Sequence, residues 1–149
     1  MIGLLQRVTA AQVTVANEVI AAIGSGLLVL VGVEQHDTEQ HAARLLSRLL
    51  DYRVFADAAG KMNLSVRDVN GGVLLVPQFT LAADTRKGLR PSFTPAASPQ
   101  IASQLFDHLV QQARQYYAPI ATGRFGADMQ VTLTNDGPVT FLLRTGMDT

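Results

Sequence analysis

The chain contains no cysteine and no tryptophan, and only 16% of its 149 residues are charged, against about 25% in ordinary globular domains. Without thiols there is no disulfide framework, no thiolate zinc site, no iron–sulfur cluster and no cysteine nucleophile. Such a composition fits a reducing compartment. Long apolar runs are missing too. The longest, Leu27 to Val33, falls far short of the roughly 18 residues a membrane span needs. The N-terminal stretch carries one early basic residue, Arg7, followed by alternating polar positions, which is not the pattern of a signal peptide. The expectation is a soluble cytoplasmic protein with no membrane partner. One-sided charge is absent as well: twelve basic residues balance twelve acidic ones. A general nucleic-acid coat is therefore not expected, since non-specific binding rests on phosphate neutralisation, and DNA is not expected as a partner. Locally the balance fails. No acid lies between Asp84 and Asp107, while Arg86, Lys87 and Arg90 fall close together. This is either a solvated loop or a phosphate-contacting patch.

What is present is a hydrophobic fraction of 48%, enough for one well-packed domain. Residues 4–15 and 19–23 read as two strands joined by a turn. Gly24-Ser25-Gly26 is another turn. Leu27 to Val33 is continuously apolar, as in a strand buried on both faces. Asp37 offers an N-cap with Gln40 as its capping-box partner. Ala42, Leu45, Leu46, Leu49 and Leu50 follow at helical spacing, which predicts a helix over 38–51. Short strands are expected at 52–55 and 61–66, a turn at Asn70-Gly71-Gly72 and a strand over 73–76. Residues 82–97 form a long loop. Ser98-Pro99 starts a second helix as N-cap and N1, ending near Tyr117. Residues 127–134 alternate as a strand does, Asn135-Asp136-Gly137 turns the chain, and 139–143 is the last strand. The expected architecture is a β-rich, mixed α/β fold. Its sheet is mostly antiparallel or mixed and curled towards a barrel, and two main helices pack outside. One domain covers 1–149, with 144–149 as a frayed tail.

Familiar catalytic signatures are absent: there is no G-x-S-x-G elbow, no P-loop and no H-E-x-x-H. His36 and His41 do not share a helix face, and His108 sits mid-helix. No metal site and no cofactor are expected. Asp84 is the acid of the long loop, where an acid ordinarily caps a turn. Two segments carry more. Pro77-Gln78-Phe79-Thr80-Leu81 lies at the C-terminal end of an apolar strand, a common site location. In Asn135-Asp136-Gly137-Pro138-Val139-Thr140, the proline removes a ladder donor where a strand should begin.

Together, Gln78-Phe79-Thr80-Leu81 and Asn135-Asp136-Gly137-Pro138-Val139-Thr140 resemble the two signatures of the D-aminoacyl-tRNA deacylase family. Gln6-Arg7-Val8, Gly60-Lys61-Met62-Asn63-Leu64, Arg90-Pro91-Ser92-Phe93, Gly123-Arg124-Phe125 and Asp128-Met129-Gln130-Val131 add to the likeness. It runs from Met1 to about Leu143. The resemblance implies a metal-free homodimer with its site at the subunit interface. It also implies hydrolysis of the ester joining a D-amino acid, or glycine mischarged on tRNA-Ala, to the tRNA 3′ end. A cis Gly137-Pro138 pair of one subunit would enter the other's pocket and leave no room for an L side chain. Arg7 would hold that loop, Gln78, Phe79 and Thr80 would line the reacting end, and Phe125 and Met129 would lie nearby. Family members are proposed to use the tRNA 2′-OH in place of a triad, which suits a Thr80 with no adjacent base.

One departure stands out. Family members usually carry Ser where this chain has Pro77. A sister branch that tolerates some L-aminoacyl-tRNA has Pro-Gln-Ala-Thr-Leu here, whereas this chain keeps Phe79 and the Gly137-Pro138-Val139-Thr140 run. The alternatives are that sister activity, a non-catalytic tRNA 3′-end binding module stacking on Phe79, and a small-molecule ester hydrolase unconnected to RNA.

Overall fold

The computed structural model describes residues 1–146. Strand β1 (Ile2–Val15) is the spine of the sheet. Along one edge it pairs antiparallel first with β3 (Gly26–Gly32) and then with β2 (Glu18–Ile23), and along the other with β8 (Gln130–Arg144). The sheet continues through two parallel pairs, β3 with β6 (Gly72–Pro77) and β6 with β7 (Ile120–Thr122). β2 then packs back against β6 and β7, so the sheet is nearly closed. The fold is mixed α/β and barrel-like, with two main helices, as the sequence predicts. The parallel pairs follow from the crossovers, since each long helix lies between strands that run the same way.

Alternation along the strands builds two cores. Leu27, Val29 and Val31 of β3 and Val73 and Leu75 of β6 pack with α1 (Glu39–Asp51) and α3 (Pro99–Tyr116), chiefly Leu45, Leu49, Leu105 and Leu109. The intervening Leu28, Leu74 and Val76 join Val8, Ala11 and Val13 in the second core, on the other face. Both faces of β3 are thus buried, as its unbroken apolar run requires. Gly26 opposes Gly72 in the β3–β6 register, and a Cβ at Gly26 would lie 1.9 Å from the Gly72 carbonyl oxygen. The strands can start together only because this position is bare.

Several boundaries differ from the sequence reading. The N-cap of α1 is Thr38, not Asp37, and His41 rather than Gln40 completes the box, its Nδ1 accepting from Thr38 N–H at 3.1 Å. Asp37 is engaged elsewhere: it accepts from Glu34 N–H at 2.7 Å and from the Met1 amino group at 2.6 Å. The strand expected at 52–55 is reduced to β4 (Phe55–Ala56), paired with β5 (Met62–Leu64). A short helix, α2 (Val66–Val69), follows, capped by Ser65 and Asp68. The last two expected strands are one, with Asn135-Asp136-Gly137 inside it. Arg144 belongs to that strand, and Thr145 is 1% exposed, donating its N–H to Met1 O and its hydroxyl to His41 O. Fraying therefore does not begin at 144, and residues 147–149 lie outside the described residues. Among the described residues, no helix is long and apolar enough to cross a membrane.

Candidate functional site

β6 ends at Pro77, which is in register with Val31 of β3. The ladder passes on through Gln78, whose N–H donates to Val31 O at 2.7 Å. Neighbouring N–H groups in a strand point to opposite sides, so the donor missing at Pro77 falls on the β7 side. There β7 ends at Thr122, the last pairing contact is Gly123 N–H to Leu75 O at 2.8 Å, and Gly123 packs against the Pro77 ring. Proline stands where the ladder ends, a position at which its missing donor is tolerated. The chain then tightens into a 3-10 turn over Phe79–Ala82.

This exit borders a cavity of about 770 Å³. Pro77, Gln78 and Phe79 form one wall and Phe125 and Met129 another, with Phe93, Ser98 at the start of α3, Asp128 and Val131 among the other lining residues; Thr80 is not one of them. A pocket at the carboxyl end of a parallel strand is where α/β sheets ordinarily hold ligands. Phe79 is 60% exposed, and its ring meets that of Phe93 at 5.3 Å between centroids with a 44° tilt. Met129 is fixed by a hydrogen bond from Arg124 N–H to its sulfur at 3.3 Å. Thr80 Oγ1 accepts from Gln78 Nε2 at 2.6 Å. That partner is an amide donor and cannot remove a proton, so Thr80 lacks what an activated nucleophile requires. The site suits polar positioning and backbone donation at the strand exit, with stacking on Phe79 and Phe93.

The remaining expected residues lie apart from this cavity. Gly137 and Pro138 sit on β8 and are joined by a cis bond. In the β1–β8 register Gln6 faces Thr140 and Val8 faces Asn135, so Arg7 alone opposes residues 136–139. The surplus loops out as a bulge, leaving Gly137 and Pro138 exposed. Arg7 reaches it from β1: Nε donates to Asp136 O at 3.0 Å, and Nη1 donates to Val54 O at 2.7 Å. Val131 lines the cavity and Gly137 lies six residues further along the same strand, a separation of roughly 20 Å at about 3.3 Å per residue. One chain's Gly137-Pro138 bulge therefore stands away from its own pocket.

The basic residues occupy the long loop, which is closed at its base by paired backbone bonds between Asp84 and Ser92, at 2.7 and 2.9 Å. Arg86 is not a free cation. Its Nε and Nη2 donate to the two oxygens of Asp84 at 2.9 and 2.8 Å. These bonds, aided by the Arg86 backbone N–H, lower the Asp84 pKa from 3.8 to about 2. A depressed carboxylate keeps its pairing above its unfolded pKa and loses it as pH falls through the folded value. The Asp84–Arg86 pair is therefore expected to persist from neutral pH down through pH 4 and to open near pH 2. In Arg86→Ala the Asp84 titration, followed by carboxylate carbon NMR, should rise back towards 3.8. An unchanged Asp84 titration would remove Arg86 as the cause.

Sequence reasoning missed Phe93, Ser98 and Asp128 as cavity residues. The usable signals were Phe93 and Asp128, each within a stretch already singled out. Ser98 reaches the cavity only through the packing of α3.

The sequence model of a family described as D-Tyr-tRNA(Tyr) deacylase matches residues 4–144. A D-aminoacyl-tRNA deacylase of Pseudomonas putida is 64% identical over 144 residues, covering 97% of this chain and 99% of its own. One from Nitrosococcus oceani is 66% identical, covering 97% and 93%. Among solved structures, one titled c-Myc DNA Unwinding Element Binding Protein is 41% identical with a TM-score of 0.94, covering 99% of this chain and 100% of that one. A second, titled a probable eukaryotic D-amino acid tRNA deacylase, is 16% identical with a TM-score of 0.85, covering 97% and 98%; at that identity the likeness is one of fold alone.

Proposed function

The chain belongs to the D-Tyr-tRNA(Tyr) deacylase family, and from that membership we propose that it hydrolyses the ester joining a D-amino acid to the 3′ end of tRNA. Water adds to the ester carbonyl, the acyl–oxygen bond breaks, and the ribose oxygen leaves with a proton. The developing oxyanion sits against the backbone N–H groups of Phe79 and Thr80 at the strand exit, where fixed donors are worth most. Gln78 orients the Thr80 hydroxyl, which positions the water or the terminal 2′-OH. Phe125 and Met129, with Pro77, hold the substrate's nucleoside end. No cofactor or metal enters the reaction.

The site works as a homodimer. What supports this is the roughly 20 Å between the cavity and the Gly137-Pro138 bulge of the same chain, since a second copy can bring its bulge where the first cannot. An L and a D residue differ by exchanging hydrogen and side chain at Cα. A pocket that accepts many side chains cannot judge them by shape. A main-chain wall can reject one hand while ignoring the side chain's identity, and proline, with its fixed φ, stiffens such a wall. Glycine, having no side chain to reject, passes, so glycyl-tRNA is a substrate as well. Arg7 holds the wall from β1. Lys87 and Arg90 take tRNA phosphates, joined by Arg86 if phosphate displaces Asp84. The setting is the cytoplasm, where charged tRNA is found.

The observation that carries the reading is the meeting of Pro77, Gln78, Phe79, Phe125 and Met129 around one cavity at the end of β6. The test is release of D-tyrosine and of L-tyrosine from charged tRNA. D-tyrosine is expected to leave far faster. Equal rates point to the sister activity, and tRNA binding without release in a single turnover points to a binding module; either result overturns the proposal. Faster cleavage of a free amino-acid ester than of the charged tRNA would do so too.

A further inference from the structure

We propose that Asn135 is a positioning residue for handedness, setting the shape of the Gly137-Pro138 bulge without touching the substrate. The inference rests on the reading of that bulge as the chiral wall. Asn135 is the last β8 residue in register before the bulge, opposite Val8, and Thr140 is the first after it, opposite Gln6. The Asn135 side chain spans the gap. Its Oδ1 accepts the Val139 N–H at 2.7 Å, and its Nδ2 donates to Thr140 Oγ1 at 2.8 Å. Gln6 Nε2 of β1 donates to the same hydroxyl at 3.5 Å.

Elementary chemistry fixes the direction of the amide. A backbone N–H can only donate, so the oxygen of Asn135 must face Val139 and the nitrogen must face Thr140. The bulge is thus held at both feet. Arg7 grips Asp136 O on the entering side, and Asn135 grips Val139 on the leaving side. Between these two clamps stand only Gly137 and Pro138. Gly137 takes a φ of +142°, a region that side-chain-bearing residues rarely adopt. Such a conformation persists only when its surroundings over-determine it. Removing one clamp leaves the part-buried Val139 N–H without its acceptor and lets the bulge relax towards an ordinary ladder, moving the wall away from the hand it must reject.

Asn135→Ala deletes both bonds. Asn135→Asp keeps the acceptor for Val139, and the Thr140 hydroxyl can turn to donate to the second carboxylate oxygen. The readout is the ratio of D-tyrosine to L-tyrosine release from charged tRNA, with the melting temperature of each variant measured alongside and Gly137→Ala assayed in parallel. We expect Asn135→Ala to lower the ratio about tenfold, the scale of one lost hydrogen bond, by raising L release, while Asn135→Asp stays near the wild-type ratio. If Asn135→Ala slows both hands equally, or if Asn135→Asp collapses the ratio as far as Asn135→Ala does, the positioning role is overturned. A wild-type ratio in Asn135→Ala with a collapsed ratio in Gly137→Ala sinks the Asn135 role alone. A wild-type ratio in both variants removes the wall itself, and this inference with it.

Discussion

Gly137→Ala is expected to cut kcat/KM on D-tyrosyl-tRNA by at least about 100-fold, the scale on which a misplacement of about 1 Å is felt in catalysis. A Cβ added at Gly137 would lie 2.6 Å from Val139 Cγ2 and 2.9 Å from Val139 N. Neither neighbour can step aside. Val139 is buried at 6% exposure, and its N–H is committed to Asn135. The third neighbour, Arg7 Nη2 at 3.3 Å, belongs to the clamp on the other foot of the bulge. The methyl group therefore displaces the wall and not its surroundings. Holding an alanine at a φ of +142° adds strain of about 1–3 kcal/mol. The core should survive this, since Gly137 is exposed on an edge strand and fills no cavity. Steady-state kinetics with both enantiomers, beside a thermal melt, separate the two effects. A folded variant with wild-type rate and selectivity would show that the bulge has no part in the reaction.

The same segment shows where sequence reading stops. Asn135-Asp136-Gly137 has the composition of a chain-reversing turn, and local propensity alone favours one. The chain instead continues as one strand, because Arg7 and Asn135 satisfy the groups that a turn would have satisfied internally. That is a tertiary decision, and the arginine lies on another strand. Elements whose signals are periodic were legible. The unbroken run of β3 gave a strand buried on both faces, and apolar spacing gave α1 and α3. β7 was not legible, since its three residues between Pro119 and Gly123 hold no period. α2 carried a readable signal in Ser65 and Asp68, spaced as a capping box, but four helical residues give no amphipathic stripe. For the candidate site, the strand-end motif named Gln78 and Phe79, which line the cavity, and Thr80, which is not among its lining residues; the resemblance added the lining residues Phe125 and Met129. That these close on one cavity while Gly137-Pro138 stands away from it depends on how far β8 runs past the pocket, which no local pattern encodes. Arg86 was partly legible: an acid two residues before it, at Asp84, is placed to take up its charge.

The separation of wall and pocket yields a second large effect. Two inactive variants should restore each other. Gly137→Ala keeps an intact cavity but carries a bulge that the added methyl group misplaces in its partner's site. Phe79→Glu keeps the wall, and places a carboxylate beside the donors proposed for the oxyanion; Phe79 is exposed enough for the change to be tolerated in folding. Each variant alone is expected to be nearly dead on D-tyrosyl-tRNA. If the site is built in trans, a dimer of one of each contains one damaged site and one whole site, the latter made from the Gly137→Ala chain's cavity and the Phe79→Glu chain's bulge. Random pairing makes half the dimers mixed, so an equimolar co-expressed preparation should recover about a quarter of the wild-type rate, and a preparation purified through two different tags about half. The arithmetic discriminates because a site made within one chain predicts no recovery at any mixing ratio: each chain would carry its own defect into its own pocket. Dual-tagged dimers that remain as inactive as their parents would therefore dismiss the shared site, and failure to recover any dual-tagged species would dismiss the dimer. Recovery near the expected fraction has no source other than a wall supplied by one protomer to the pocket of its partner.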